Sequence, residues 1–321
     1  MGFTGIVGHE FVGVVESINC DDGDGGEVFS HLVGKRVVGE INLSCTACHV
    51  CAAGGDRARN HCPKRSVLGI LGKHGTYAEF LTLPCRNLHV VPDNVSDAAA
   101  VFAEPLAAAC RIVEQGLAPP GVNAAILGDG KLGLLIAEVL ARRVADAAAG
   151  DAGSSPTMSG DPETGGQRGT TTIIGRHQEK MDIWVAGERE LIRVDAGDAS
   201  AVAALSGSFD VVVDATGSPQ GFASASELCR PMGTVVLKST CAAGAGFNPA
   251  PVVINEQRIV GSRCGPFEAA LELLASTSED AINVERYISA VFPLEEACAA
   301  LEAARKKGTL KVQIICSDSA L

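Results

Sequence analysis

Four cysteines stand close together, Cys45-x-x-Cys48-x-x-Cys51 followed by Cys62. Thiolates at two-residue spacing can converge on one tetrahedral cation, because the turn between them aims both sulfurs inward and a fourth sulfur closes the sphere. A closed four-sulfur zinc site is structural, since no position stays open for a substrate. The competing readings are buried apolar cysteines or a redox cluster. The polar, glycine-rich, basic stretch around these four offers no core to bury them in. His61, beside Cys62, is the substitute ligand should one sulfur point away. Upstream, Gly8-His9-Glu10 places an imidazole beside a carboxylate, both metal-ligand types. Further on, Gly128-Asp129-Gly130-Lys131-Leu132-Gly133 carries the G-x-G-x-x-G spacing of a dinucleotide turn.

That glycine pattern becomes physical only when a strand leads into it and a helix leaves it. The apolar run Asn123–Leu127 and the helical periodicity of Leu132–Arg143 supply both. Gly128 permits the tight turn, Gly130 lets a pyrophosphate approach the backbone, and Gly133 lets helix and strand pack closely, with Leu132 between them at the cofactor. A glycine turn of purely structural purpose is the alternative. Strands are expected at Thr170–Ile174, Phe209–Ala215 and Gly233–Ser239, so a parallel βαβ sheet follows. In such sheets an acidic residue at the end of the second strand binds the ribose of NAD and repels the phosphate of NADP. This chain has Gly175-Arg176-His177 there, then Lys180, with no carboxylate. Arg176 offers a fork for a phosphate, so NADP is expected over NAD. The turn Asp214-Ala215-Thr216-Gly217 is expected to border the same crevice, with Thr216 at the cofactor; Asp214 could equally cap the turn.

Ahead of this sheet, Glu10–Val15 and Leu32–Glu40 read as strands around the acidic turn Asp21–Glu27, which lacks the ligand register of a calcium loop. Thr76–Leu83 and Asn87–Val91 alternate or run apolar, and Val95–Gln115 reads as one helix. Residues 144–169 hold glycine, serine, proline and aspartate without hydrophobic period and read as a flexible insertion. Pro266–Thr277 and Leu294–Lys307 read as helices, the second followed by a strand, Leu310–Ile315.

The chain's 321 residues suffice for two domains. A net charge of -12, without a dense basic cluster, argues against nucleic acid or an anionic membrane surface as partner. The apolar runs fall short of a bilayer span. Twelve cysteines in a chain of this length, four at metal spacing, suit a reducing compartment.

GHEFVGVVE, the four-cysteine lobe, FAEPLAAA, LGDGKLG and DATGSP, in this order, resemble the zinc-dependent alcohol dehydrogenases of the medium-chain dehydrogenase/reductase superfamily. The resemblance covers nearly the whole chain outside 144–169. It implies an α/β protein: a GroES-like β-rich catalytic domain over 1–114, with its zinc lobe at 44–63, a Rossmann domain over 115–261, and a return to the catalytic domain over 262–321. It also implies zinc-dependent hydride transfer between an alcohol or carbonyl substrate and NAD(P). His9, Glu10 and Glu104 would hold the catalytic zinc, with Glu104 where other members have cysteine. From spacing alone, Glu104 reads equally as a first-turn acid complementing a helix dipole. The family pattern places a zinc-binding cysteine, with Ser or Thr close behind it, a few tens of residues before the GHE motif, whereas seven residues precede Gly8 here. The expectation is therefore a chain lacking its first barrel strands, in which the catalytic zinc is weakly held. Cys51 and Cys62 also lie further apart than is usual, a longer loop that costs little entropy. Alternative readings are a non-catalytic, zinc-stabilised dinucleotide-binding protein and a zinc-independent quinone or enoyl reductase relative. Family members are usually dimers or tetramers through the Rossmann sheet edge, here near Val252–Ser262. A cytoplasmic location is expected, or an organelle if a transit segment precedes Met1.

Overall fold

The structure, a computed structural model, describes residues 3–19, 29–53, 58–146, 169–183, 191–241, 248–277 and 281–317. The acidic turn 21–27, Cys20 and most of the expected insertion, 147–168, lie outside them. The chain forms two compact units, one of Met1–Ala107 with Pro266–Leu321 and one of Ala108–Gly265. The first border falls at 107/108 rather than 114/115, inside the helix Ala103–Glu114.

The first unit is built from short strands. β1 (Gly13–Val14) pairs antiparallel with β2 (Arg36–Gly39), which pairs with β6 (Leu88–Val90). A second small sheet joins β3 (Asn42–Leu43), β4 (Ser66–Leu68) and β5 (Gly72–Lys73). Thr76–Leu83 forms no strand. Its ladder to the GHE segment lasts two residues, the amides of Thr76 and Tyr77 donating to the carbonyls of Gly8 and Val7. The single helix expected over Val95–Gln115 is two, Asp97–Ala100 and Ala103–Glu114. Pro105 explains the break, because in a continuous helix its ring would collide with the carbonyl of Val101. Ser96 caps the first helix, its hydroxyl accepting from the Ala99 amide at 3.1 Å.

The second unit is a six-stranded parallel sheet, β7 (Ala124–Leu127), β8 (Thr171–Gly175), β9 (Leu191–Asp195), β10 (Phe209–Asp214), β11 (Cys229–Leu237) and β12 (Arg258–Gly261). Its order, β12-β11-β10-β7-β8-β9, is that of the doubly wound dinucleotide fold, with the switch point between β7 and β10. β7 and β8 are buried along their whole length, as strands covered on both faces must be. The helix Lys131–Asp146 packs against β7 and β8 and is covered on its other sides too, since the consecutive Leu134, Leu135, Ile136 and Ala137 are all fully buried. The chain then completes the first unit with the helix Phe267–Ala275, the parallel strands β13 (Ile288–Pro293) and β14 (Lys311–Ile315), and the helix Ala297–Ala304 between them.

Candidate metal and dinucleotide sites

The cysteine lobe consists of the helix His49–Ala53 and the single turn Ala58–His61. Its sulfurs lie 3.5 Å apart between Cys48 and Cys51, 3.5 Å between Cys45 and Cys62, and 3.8 Å between Cys48 and Cys62. Zinc–sulfur bonds of about 2.3 Å require tetrahedron edges of about 3.8 Å, so the four thiols fit the ion. None of the four is in a disulfide. The Ala47 amide, with Cys62 assisting, pulls the Cys45 thiol down to about 6, whereas burial and the neighbouring thiols push Cys51 up to about 11. Four thiols cannot all ionise at neutral pH without a cation among them, and a divalent metal would supply that charge. His61 is exposed and outside the group. Arg59, on the lobe, donates at 2.6 Å to Glu40, whose side chain is 4% exposed, and His89 meets the same oxygen at 3.2 Å. A cavity of about 800 Å³ opens beside this network, lined by Arg59, Arg86, His89 and Glu268 among others, and contains none of the expected site residues.

A second cluster forms where the GHE segment meets the helix Ala103–Glu114. One ligand atom each from His9, Glu10 and Glu104 all lie within 4.8 Å of one another, and the three side chains are half-buried. Gly8 makes this possible. Its φ of 93° is left-handed, and a Cβ there would stand 2.5 Å from the Thr76 hydroxyl. Glu104 occupies the first helical turn, so its carboxylate also lies where the helix dipole favours negative charge. An imidazole and two carboxylates suit zinc. Lys311 is a member of this neighbourhood that sequence reasoning missed. Its Nζ donates to Glu10 Oε2 and lies 5.0 Å from the centroid of the Phe102 ring. Burial pushes the Lys311 ammonium down to about 7, and the Glu10 carboxylate works against that shift. The one available signal was a lone cation opening the apolar run Lys311–Ile315.

In the second unit the glycine turn has the expected form. Gly128 has φ 109°, and a Cβ on Gly133 would fall 1.9 Å from the Gly128 carbonyl, so that helix approaches the loop only because residue 133 has no side chain. A Cβ on Gly130 would meet nothing within 4 Å, leaving room for a pyrophosphate. Leu132 is half-buried in the first turn of the helix. At the end of β8, Arg176 is exposed, while His177 precedes the short helix Gln178–Met181 that carries Lys180. Asp129 reaches this strand end from the glycine turn. Its Oδ2 accepts the amides of both Arg176 and His177 at 2.6 Å, and His177 Nδ1 lies 3.1 Å away. A carboxylate therefore does stand at the end of the second strand, supplied 47 residues earlier in the chain. Asp214 caps its turn, accepting the amide of Thr216 at 3.0 Å and its hydroxyl at 2.7 Å. Thr216 Oγ1 in turn accepts the Ser218 amide.

Two family profiles match the chain, an alcohol dehydrogenase GroES-like domain over residues 2–93 and a zinc-binding dehydrogenase domain over 169–276. The starvation-sensing protein RspB of Escherichia coli K12 is 33% identical over 135 residues, 42% of this chain and 37% of RspB. The match thus spans well under two thirds of that relative's length. A relative from Aspergillus clavatus, named "Probable D-xylulose reductase A", is 27% identical over 295 residues, 91% of this chain and 75% of the relative. Among solved structures, the alcohol dehydrogenase TADH from Thermus sp. ATN1 superposes with a TM-score of 0.74 at 27% identity, covering 97% of this chain and 84% of that one.

Proposed function

We propose that this chain, which belongs to the zinc-dependent alcohol dehydrogenases of the medium-chain dehydrogenase/reductase superfamily, transfers a hydride between an alcohol or carbonyl substrate and a nicotinamide dinucleotide. The observation that carries the reading is the convergence of the adjacent pair His9 and Glu10 with Glu104, far along the chain, on a space that one cation could fill. Bound there, zinc supplies Lewis-acid polarisation of the substrate oxygen, and the nicotinamide takes or gives the hydride.

The residues of the chain do the rest. His9 and Glu104 hold the ion. Glu10, tethered by Lys311, lies within 4.8 Å of both and would be the third ligand available to the ion. Cys45, Cys48, Cys51 and Cys62 hold a second, structural zinc. Gly128, Gly130, Leu132 and Gly133 present backbone and helix N-terminus to the pyrophosphate. Arg176, His177 and Lys180 flank the adenosine end, and Thr216, through its turn, the same crevice. Arg176 and Lys180 are cations that favour the extra phosphate of NADP; the Asp129 carboxylate opposes them. The substrate class is a small alcohol or carbonyl compound, and the relative named as a probable D-xylulose reductase makes ketoses and the polyols they reduce to the first to try.

The proposal extends to a homodimer through the sheet edge. β12 is an edge strand, and Val253 and Ile254 beside it are 72% and 78% exposed, an apolar surface that a second copy would cover. No helix among the described residues is long and apolar enough to cross a membrane. Thiolate ligation of a metal suits the reducing cytoplasm, where we place the protein.

Elemental analysis of the purified 321-residue protein tests the reading. Two zincs per chain are expected, falling to one in Cys45→Ser/Cys48→Ser and to one in His9→Ala/Glu104→Ala, the latter with loss of dinucleotide-coupled alcohol oxidation. One zinc that vanishes with the cysteines and ignores His9 would leave the non-catalytic, zinc-stabilised dinucleotide-binding reading in its place.

A further inference from the structure

We infer that Asp129, inside the glycine turn, sets the dinucleotide preference and turns it toward NAD and against NADP. The inference rests on the dinucleotide reading of that turn. Ribose hydroxyls of the adenosine half are met by a carboxylate at the end of the second strand of such sheets. Here that strand, β8, ends at Gly175, and the carboxylate bonded to the two amides just beyond it belongs to Asp129.

Three features make this a selective device. First, the consecutive amides of Arg176 and His177, which would otherwise form an anion-binding concavity for a phosphate, are already filled. Second, Asp129 is only 8% exposed, so its charge is poorly screened against a dianion brought to the same strand end. Third, its acceptor capacity is not exhausted. Of about four lone-pair directions on a carboxylate, the two amides take those of Oδ2, and His177 Nδ1, 3.2 Å from Oδ1, takes one of the other two, leaving Oδ1 one direction to accept a ribose hydroxyl. Gly175 is part of the arrangement, since a Cβ there would stand 2.6 Å from Asp129 Cβ and 2.7 Å from Oδ2. The expectation of NADP rested on the apparent lack of any carboxylate at this strand end. The fold supplies one from a different element. Arg176, exposed at the same place, opposes it, and its flexible stem in water gives a screened attraction where Asp129 gives a fixed, buried repulsion.

The test is calorimetric binding of NAD, NADP and ADP-ribose to the full chain, with no turnover required. NAD should bind roughly tenfold tighter than NADP or better, the size of one poorly screened charge–charge term. Asp129→Asn should shrink that ratio at least fivefold, mainly by tightening NADP. Gly175→Ala, which displaces the carboxylate without changing its chemistry, should move the ratio the same way. A ratio of two affinities in one preparation is insensitive to the fraction of protein that is folded, and the wild-type ratio is read before any variant. Binding of both dinucleotides with NADP preferred, or an unaltered ratio in Asp129→Asn, overturns the assignment while leaving the dinucleotide reading intact. No binding of ADP-ribose or either dinucleotide overturns both.

Discussion

Gly130 and Gly133 lie three residues apart in one turn, yet alanine at each should do opposite things. At 133 the new Cβ would lie 1.9 Å from the Gly128 carbonyl. Ordinary carbon contacts begin at roughly 3.5 Å, so helix and loop must part by about 1.6 Å. The turn being displaced carries Leu134, Leu135, Ile136 and Ala137, all fully buried. Gaps of about 1 Å already forfeit up to half of each dispersion contact, and strain against backbone belongs at the upper end of overpacking costs, about 3 kcal/mol or more. In a unit of this size that lowers the unfolding midpoint by roughly 6–12 °C. At 130 the Cβ meets no protein atom, and the backbone there is not left-handed. Alanine should therefore leave the midpoint unchanged or raise it slightly, by about 0.4–1 kcal/mol of restricted unfolded chain. Its methyl would stand where the pyrophosphate must approach, weakening dinucleotide binding roughly tenfold to a hundredfold. Thermal unfolding with and without dinucleotide separates the two, since bound ligand at a hundred times Kd raises stability by about 2.7 kcal/mol. If Gly130→Ala binds dinucleotide as the wild type does, the pyrophosphate does not lie on this turn; if Gly133→Ala unfolds normally, the close approach is not what residue 133 is for.

Lys311→Met keeps the packing over Phe102 but takes the ammonium donor away from the Glu10 carboxylate. It should cost about 3 kcal/mol in urea denaturation, with much of the loss returned by Glu10→Gln in the same chain, and a single variant as stable as wild type would contradict the pairing. Arg59→Ala removes the tie between the cysteine lobe and Glu40. Zinc should then leave the lobe several times faster under chelator, measured by a colorimetric metal indicator, and an unchanged rate would mean the lobe is held by its sulfurs alone. Val253→Asp with Ile254→Asp should shift the protein from dimer to monomer in light scattering with no loss of thermal stability; a monomeric wild type would remove the sheet-edge interface from the proposal.

What could be read from the sequence was local. The strand, glycine turn and helix around Gly128 sit in one continuous segment, and the cysteines converge through a lobe of eighteen residues, so spacing alone carries most of their geometry. Asp129 lay in plain view within the turn, but its side chain bonds amides 47 and 48 residues later. Only the packing of β7 beside β8 brings those groups together. Lys311 reaches Glu10 across 301 positions, a contact no periodicity encodes. The helix break before Pro105 shows the opposite error, in which an apolar period was allowed to outrun a residue whose ring forbids it.

The pairing of Glu10 with Lys311 also orders events during synthesis. The cysteine lobe is contiguous and can take up its metal while the rest of the chain is still being made. The first unit, by contrast, is interrupted by all of Ala108–Gly265, a unit with its own core that can form before the interruption ends. Glu10 therefore meets the Lys311 ammonium only after β14 has emerged and docked beside β13. Of the two proposed metal sites, the cysteine lobe can mature first, and the cluster of His9, Glu10 and Glu104 gains its Lys311 neighbour only once β14 has been made.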